Sequence, residues 1–308
     1  MIEIKNLTKR LGRNNIIIDL SFNVQPKDCI GLVCHDNVVK STLIKILSGS
    51  IPPSTGHIKI GGIDIVAEPL GAKYITGYQP QSLVVHRTMT VSGFLCFIAA
   101  IRGFSGLEKR KRIDRVVARL ELSHTLKCPI EMLSKELKRK LALAQAILHS
   151  PELLLLDEPT EGLEPDQKNN IALLIKSLNE EMTVVIASGC TKELTSICNR
   201  ALVIANGRLL ADLPIVELQC KSRHYQAITL TAESALDLLA LAVLPGVAGI
   251  EEDRHAPGTV TILAMPGQTI YRHVNALIAN RGWKINSLSL ELGRLDDVVH
   301  HLSQEASN

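Results

Sequence analysis

The sequence predicts an α/β fold, a largely parallel sheet covered by helices on both faces, followed by a smaller α+β unit. Three observations carry this. Apolar runs at Cys29-Ile30-Gly31-Leu32-Val33, Leu153-Leu154-Leu155-Leu156 and Thr183-Val184-Val185-Ile186-Ala187 read as strands buried on both faces. Amphipathic helical stretches alternate with them, which is the pattern of crossover connections. From residue 221 onward the order becomes β-α-β-β-α-β, a split βαβ pattern.

In chain order, residues 2–7 alternate like an edge strand, and residues 16–24 form a second strand after the turn Gly12-Arg13-Asn14-Asn15. The strand at residues 29–33 runs into Cys34-His35-Asp36-Asn37-Val38-Val39-Lys40-Ser41-Thr42, and Leu43 to Gly49 reads as a helix closing at a glycine. Residues 57–60 and 75–79 are further strands, the second leading into a loop. Residues 90–118 have a helical pattern, with the charge run Glu108-Lys109-Arg110-Lys111-Arg112 read as a solvated face. Leu137, Leu141, Ala144 and Leu148 repeat at helical spacing within residues 134–150. A helix over residues 166–180, and a hairpin around Asn206-Gly207, complete the first part. In the second part strands are expected at residues 225–231, 247–252, 259–265 and 283–290, with helices at 232–244, 269–281 and 295–304.

Composition excludes several functions. The chain has 308 residues, enough for two domains, and 46% hydrophobic residues, enough for a sizeable core. A net charge of +3, one tryptophan and 3% aromatics argue against a nucleic-acid surface. The seven cysteines (29, 34, 96, 128, 190, 198 and 220) form no C-x-x-C pair, which predicts free thiols in a reducing compartment. Met1-Ile2-Glu3-Ile4-Lys5 starts a strand rather than a signal peptide. The apolar stretches 89–101 and 238–250 are shorter than the ~18–20 residues a bilayer requires. The expectation is a soluble, cytoplasmic protein.

A strand, a tight loop and a helix opening on Lys40-Ser41-Thr42 is the setting of a phosphate-cradling P-loop. Five further stretches follow in a fixed order: Gly77-Tyr78-Gln79-Pro80-Gln81, Leu133-Ser134-Lys135-Glu136-Leu137, Leu153 to Glu158, Pro159-Thr160, and Glu161-Gly162-Leu163-Glu164-Pro165. Together they resemble the ATP-binding cassette (ABC) family over residues 1 to about 215, matching its Walker A, Q-loop, signature, Walker B and D-loop segments. The resemblance implies a P-loop NTPase-like cassette with a mixed sheet (residues 1–218), a helical subdomain at about 82–140, and a ferredoxin-like accessory domain at 222–308. The tail resembles, more weakly, that of exporter-type and gliding-motility-type subunits.

The resemblance also implies roles. Lys40, Ser41, Thr42 and Gln81 would contact ATP; Ser41, Gln81 and Asp157 would hold Mg²⁺; Glu158 would be the general base. A lysine ammonium suits phosphate oxygens, and hydroxyl and carboxylate oxygens suit a hard cation. Partners implied are a transmembrane subunit on the inner face of the cell membrane and a second cassette, as homodimer or heterodimer.

Several positions depart from the family pattern. Cys34, Asn37 and Val39 stand where the loop glycines belong, and a β-branched residue is poorly suited to φ > 0. Either Val39 is strained and fills phosphate space, or the loop relaxes and loses its N–H contacts. Leu11 replaces the adenine-stacking aromatic, and Ser134 is followed by Glu136 at the signature glycine, where a carboxylate at a helix N-terminus is expected to sit on the anion site. The switch histidine falls at Gly189 or Cys190. The expectation is weak or absent hydrolysis, or a non-hydrolysing docking subunit. A metal site at Cys34, His35 and Cys190 is a minor rival, since the spacing fits no zinc pattern.

Overall fold

The computed structural model describes residues 1–34, 36–83, 88–233, 236–253, 256 and 258–305. The chain divides into two compact units, residues 1–213 and 214–308. The division lies a few residues before the expected one, because the short helix at Ile215–Cys220 groups with the second unit.

The first unit holds two sheets. Strands β1 (Ile2–Leu11), β2 (Asn14–Val24), β4 (Thr55–Ile60) and β5 (Ile63–Asp64) make an antiparallel sheet in the order β2-β1-β4-β5. The other has the order β10-β9-β3-β8-β7-β6, from β3 (Cys29–Cys34), β6 (Thr76–Gln79), β7 (Leu153–Asp157), β8 (Thr183–Ala187), β9 (Arg200–Ala205) and β10 (Arg208–Pro214). The pairs β3–β8, β3–β9, β7–β8 and β6–β7 are parallel. Strands β3, β7 and β8 are buried at every residue, as their unbroken apolar sequences require. The β9–β10 hairpin closes on Asn206 and Gly207, both left-handed (φ 51° and 74°), the geometry that asparagine and glycine tolerate in a two-residue turn.

Helix α1 (Asn37–Leu47) packs its buried face, including Val39, Leu43, Ile44 and Leu47, into a core shared by both sheets. Helix α2 (Pro69–Ile75) precedes β6. The helical stretch expected at 90–118 is two helices, α3 (Val91–Ile101) and α4 (Gly106–Arg119), broken where Gly103 (φ 84°) and Gly106 (φ 55°) turn left-handed. Helices α5 (Lys135–Ile147), α6 (Pro165–Asn179) and the short α7 (Thr191–Ile197) follow.

His149, just beyond α5, is buried and its Nε2 meets Thr76 O at 3.1 Å, while its Nδ1 has no partner. Burial, reinforced by the nearby Arg102 guanidinium, pushes its pKa down to about 4. The folded state therefore favours neutral His149, and the unfolded chain takes up the proton first as pH falls. Stability is expected to decline as pH drops from about 6.5 towards 4, by on the order of 2 kcal/mol for this group. Urea titrations across that window check it, and His149→Gln should flatten the slope.

The second unit contains α8 (Ile215–Cys220), β11 (Tyr225–Ala232), α9 (Leu238–Ala242), β12 (Val247–Glu252), β13 (Thr259–Ala264), α10 (Tyr271–Arg281), β14 (Ile285–Leu292) and α11 (Leu295–Glu305). Its sheet has the order β12-β13-β11-β14, and each neighbouring pair is antiparallel. Strand β13 lies between β11 and β12, which α9 connects: this is a split βαβ arrangement. Helix α9 is only five residues long, shorter than the 232–244 expected, because Asp237 caps its start by accepting the Ala240 N–H and Val243 ends it. Between the strands expected at 247–252 and 259–265, His255 and Pro257 lie outside the described residues. Ile228, Leu230, Ile262 and Val274 form the core of this unit.

Candidate functional site

The loop entering α1 is not an open cradle. Asp36 caps the helix: its Oδ1 accepts the Val38 N–H at 2.7 Å, and its carbonyl accepts the Lys40 N–H at 3.2 Å. Helix α1 therefore starts at Asn37, so that Asn37, Val38 and Val39 form its first turn. The left-handed strain considered for Asn37 and Val39 is not present, since neither has a positive φ. Val39 does not fill phosphate space; it is 3% exposed and belongs to the hydrophobic core. Cys34, at the end of β3, is also buried, and burial pushes its thiol pKa up. His35 lies outside the described residues.

Lys40 is 1% exposed, and its Nζ forms an ion pair with Glu158 Oε1. Glu158 follows β7 at φ 48°, held by its N–H to Ala187 O at 2.8 Å. Its Oε2 accepts the Gly189 N–H at 3.1 Å. A Cβ on Gly189 would stand 3.6 Å from both Glu158 Oε1 and Lys40 Nζ, so residue 189 borders the pair directly. Cys190 caps α7 and gives its N–H to Ser188 Oγ at 3.1 Å.

Asp157 is buried, and its Oδ1 has no partner. Burial raises its pKa, and the neighbouring Glu158 adds to the rise. A buried, unpartnered carboxylate oxygen suits a hard divalent cation. Ser41 is half-buried and Thr42 buried on α1. Gln81, expected to be the third cation ligand, is turned elsewhere: its Nε2 donates to Glu161 Oε2 at 2.8 Å, and Arg139 donates to its carbonyl.

Ser134 caps α5 by accepting the Leu137 N–H at 3.2 Å. Glu136 Oε1 lies 3.6 Å from Lys140 one turn on, a lysine that also donates to Glu121 Oε2 at 3.0 Å. Leu11 ends β1 and is 46% exposed, free to pack but without a stacking face.

One group here has no counterpart in the sequence reading. Glu193, on α7, accepts from Thr160 and from Ser188 Oγ (3.2 Å), and pairs with Lys168 Nζ at 3.0 Å. It ties the segment after β7 to the segment after β8. Its helix is seven residues long and carries no strong apolar period, so only the carboxylate itself was visible in the sequence. No cluster of three or more His, Cys, Asp or Glu side chains able to hold a metal occurs among the described residues.

Comparison with known proteins agrees with the fold of the first unit. Residues 17–161 match the family model described as ABC transporter. The linearmycin resistance ATP-binding protein LnrL of Bacillus subtilis is 34% identical over 212 residues, 68% of each chain. The bacitracin transport ATP-binding protein BcrA of Bacillus licheniformis is 27% identical over 300 residues, 96% of this chain and 95% of that one. Among solved structures, the dimeric cassette MJ0796 superposes with a TM-score of 0.63 at 22% identity, over 70% of this chain and 99% of that one. CbiO1 from Clostridium perfringens, part of a cbiONQ complex, superposes with a TM-score of 0.65 at 23% identity, over 71% and 90%.

Proposed function

The chain belongs to the ATP-binding family of ABC transporters, and from that premise we propose a cassette subunit that acts through a separate transmembrane partner and hydrolyses ATP weakly or not at all. The observation that carries the second half is the start of α1. The Val38 and Lys40 N–H groups, which an open loop would offer to phosphate, are both taken by Asp36. The triphosphate does not fit this arrangement, because the Asp36 carboxylate stands at the helix N-terminus and Lys40 is engaged with Glu158. For the cation the residues fit better: Asp157 and Ser41 would hold Mg²⁺, which would supply positive charge beside the phosphates.

A membrane partner is supported by a cavity of about 420 Å³ at the surface between α2 and α3. Leu70, Tyr74 and Ile101 line it while 71%, 66% and 66% exposed. An exposed apolar group of this kind marks an interaction surface. No helix among the described residues is long and apolar enough to cross a membrane, so transport requires another chain or segment for the crossing. A second cassette, identical or related, is the natural further partner, as in the dimeric MJ0796 structure.

A specific observation also favours the second reading, a non-hydrolysing docking or regulatory subunit: the general-base position, Glu158, is spent on Lys40. ATPase turnover of the purified protein, alone and with its membrane subunit, tests both readings. Turnover at least a hundredfold below that of an intact cassette is expected. A normal rate that Glu158→Gln abolishes would overturn the proposal. Titration with a fluorescent ATP analogue separates the two readings: weak Mg²⁺-dependent binding fits the impaired ATPase, none fits the pure docking subunit.

A further inference from the structure

We propose that the cavity where α4 faces the loops leading into β3, β7 and β8 is a binding site for a phosphate group carried on an apolar body. The cavity has a volume of about 400 Å³, within the usual range for small-molecule sites. It lies at the N-terminal ends of the parallel strands β3, β7 and β8, whereas the loop at α1 and Glu158 follow the C-terminal ends of β3 and β7, so it stands apart from the nucleotide site.

Charge is the first argument. Arg112, Arg115 and Arg119 occupy positions i, i+3 and i+7 of α4 and therefore share one face of the helix. With Lys27 they place four cations on the cavity wall, against the two carboxylates Glu152 and Glu181 among the described lining residues. Arg115 and Arg119 compete for Glu181, at 3.6 Å and 2.9 Å from its Oε2. Arg112 is fixed differently: its guanidinium lies 4.1 Å over the Phe104 ring and pairs with Glu108 at 3.0 Å. That leaves Arg115, whose side chain is 63% exposed, as a guanidinium with one long contact. The depressed pKa of the adjacent His149, due first to burial, includes a contribution from Arg112 and agrees with a positive potential here.

Shape is the second argument. The floor is apolar, built by Val116, Ile147, Leu148 and Met182. These side chains keep at most 6% of their surface exposed, so the apolar contact on offer is small, but an alkyl or aryl group would cover it and an inorganic ion would not. Planar guanidiniums in a row match phosphate oxygens by paired N–H donation better than they match a single carbonyl. The ligand chemistry that satisfies both surfaces is a phosphomonoester with an apolar substituent, either a free organic phosphate or a lipid with a phosphate headgroup.

Glu181 gives the site a built-in competitor, and that makes the proposal testable in both directions. Isothermal titration of the full chain with phenyl phosphate should show saturable binding at least tenfold tighter than with inorganic phosphate or phenol. Arg115→Gln, at an exposed position that leaves the fold intact, should weaken binding at least fivefold. Glu181→Gln, which removes the competing carboxylate, should tighten it at least fivefold, a gain that no loss of structure can mimic. Flotation with phosphatidylcholine vesicles, with and without phosphatidic acid, distinguishes the sources: recovery only with phosphatidic acid and no phenyl phosphate binding assigns the site to lipid, and the reverse assigns it to a free phosphate. Binding to neither probe, or binding unmoved by both substitutions, overturns the proposal.

Discussion

Glu158→Gln is expected to destabilise the protein by about 3 kcal/mol in the absence of any nucleotide, because it leaves a buried ammonium without its counter-charge. Lys40 is 1% exposed and the Glu158 side chain 15% exposed, so solvent screens this pair little. Removing one partner of a buried pair costs ~3–5 kcal/mol; the glutamine oxygen still accepts from Lys40, which places the value at the low end. For a unit of this size the midpoint of melting should fall by roughly 6–12 °C. Lys40→Met should cost less, about 2 kcal/mol, since Glu158 keeps the Gly189 N–H and some access to water. The double variant should regain roughly 2 kcal/mol relative to the sum, the coupling of two groups in contact. Far-UV circular dichroism is the suitable readout, because the single tryptophan, Trp283, lies in the other unit. A neutral Glu158→Gln would mean that Lys40 is held by something other than this carboxylate.

The strands and the order of the motifs were legible in the sequence because they rest on periodicity and local spacing. Leu153 to Leu156 can only be a strand buried on both faces, and it is the centre of one side of the six-stranded sheet. What was not legible depended on which partner a polar group would find. Asp36 stands in the sequence as one residue of the loop, but its choice of the Val38 N–H, which turns the loop into helix, follows from the loss of glycine at 37 and 39 only once the competing conformations are compared. Glu136 stands by its helix position near an anion site, and the sequence does not show that Lys140, one turn later, lies between it and Glu121. Gln81 was read as a cation ligand, yet Glu161, eighty residues on, takes its amide. Pairings across such separations are properties of the packed chain. The break between α3 and α4, by contrast, had a signal in Gly103 and Gly106 that the helical period of the flanking residues outweighed.

Reopening the loop should tighten nucleotide binding. In the triple substitution Asp36→Ser, Asn37→Gly and Val39→Gly, serine removes the negative charge and the two glycines make the first turn of α1 unfavourable. The Val38 and Lys40 N–H groups, now paired with Asp36, become available to phosphate oxygens. Two hydrogen bonds to a charged group contribute about 1.5–3 kcal/mol each, against which the loss of a buried valine and of helical propensity must be set. The net expectation is MgATP binding about a hundredfold tighter than in the parent chain, with a protein roughly 2–4 kcal/mol less stable when nucleotide is absent. Asp36→Ser alone keeps a helix cap and removes only the charge, so it should give about a tenfold gain. Titration with a fluorescent ATP analogue, at fixed Mg²⁺, reads both variants. If the triple variant folds and still binds no tighter, the defect does not lie in the loop, and the exposed Leu11 in place of a stacking aromatic becomes the position to change next. If it binds but does not turn over, Lys40 has left Glu158 for the phosphate without giving Glu158 a water to activate. That outcome would place the proposed impairment of hydrolysis on the segment around Gly189 and Cys190, where Glu158 remains tied to a backbone N–H.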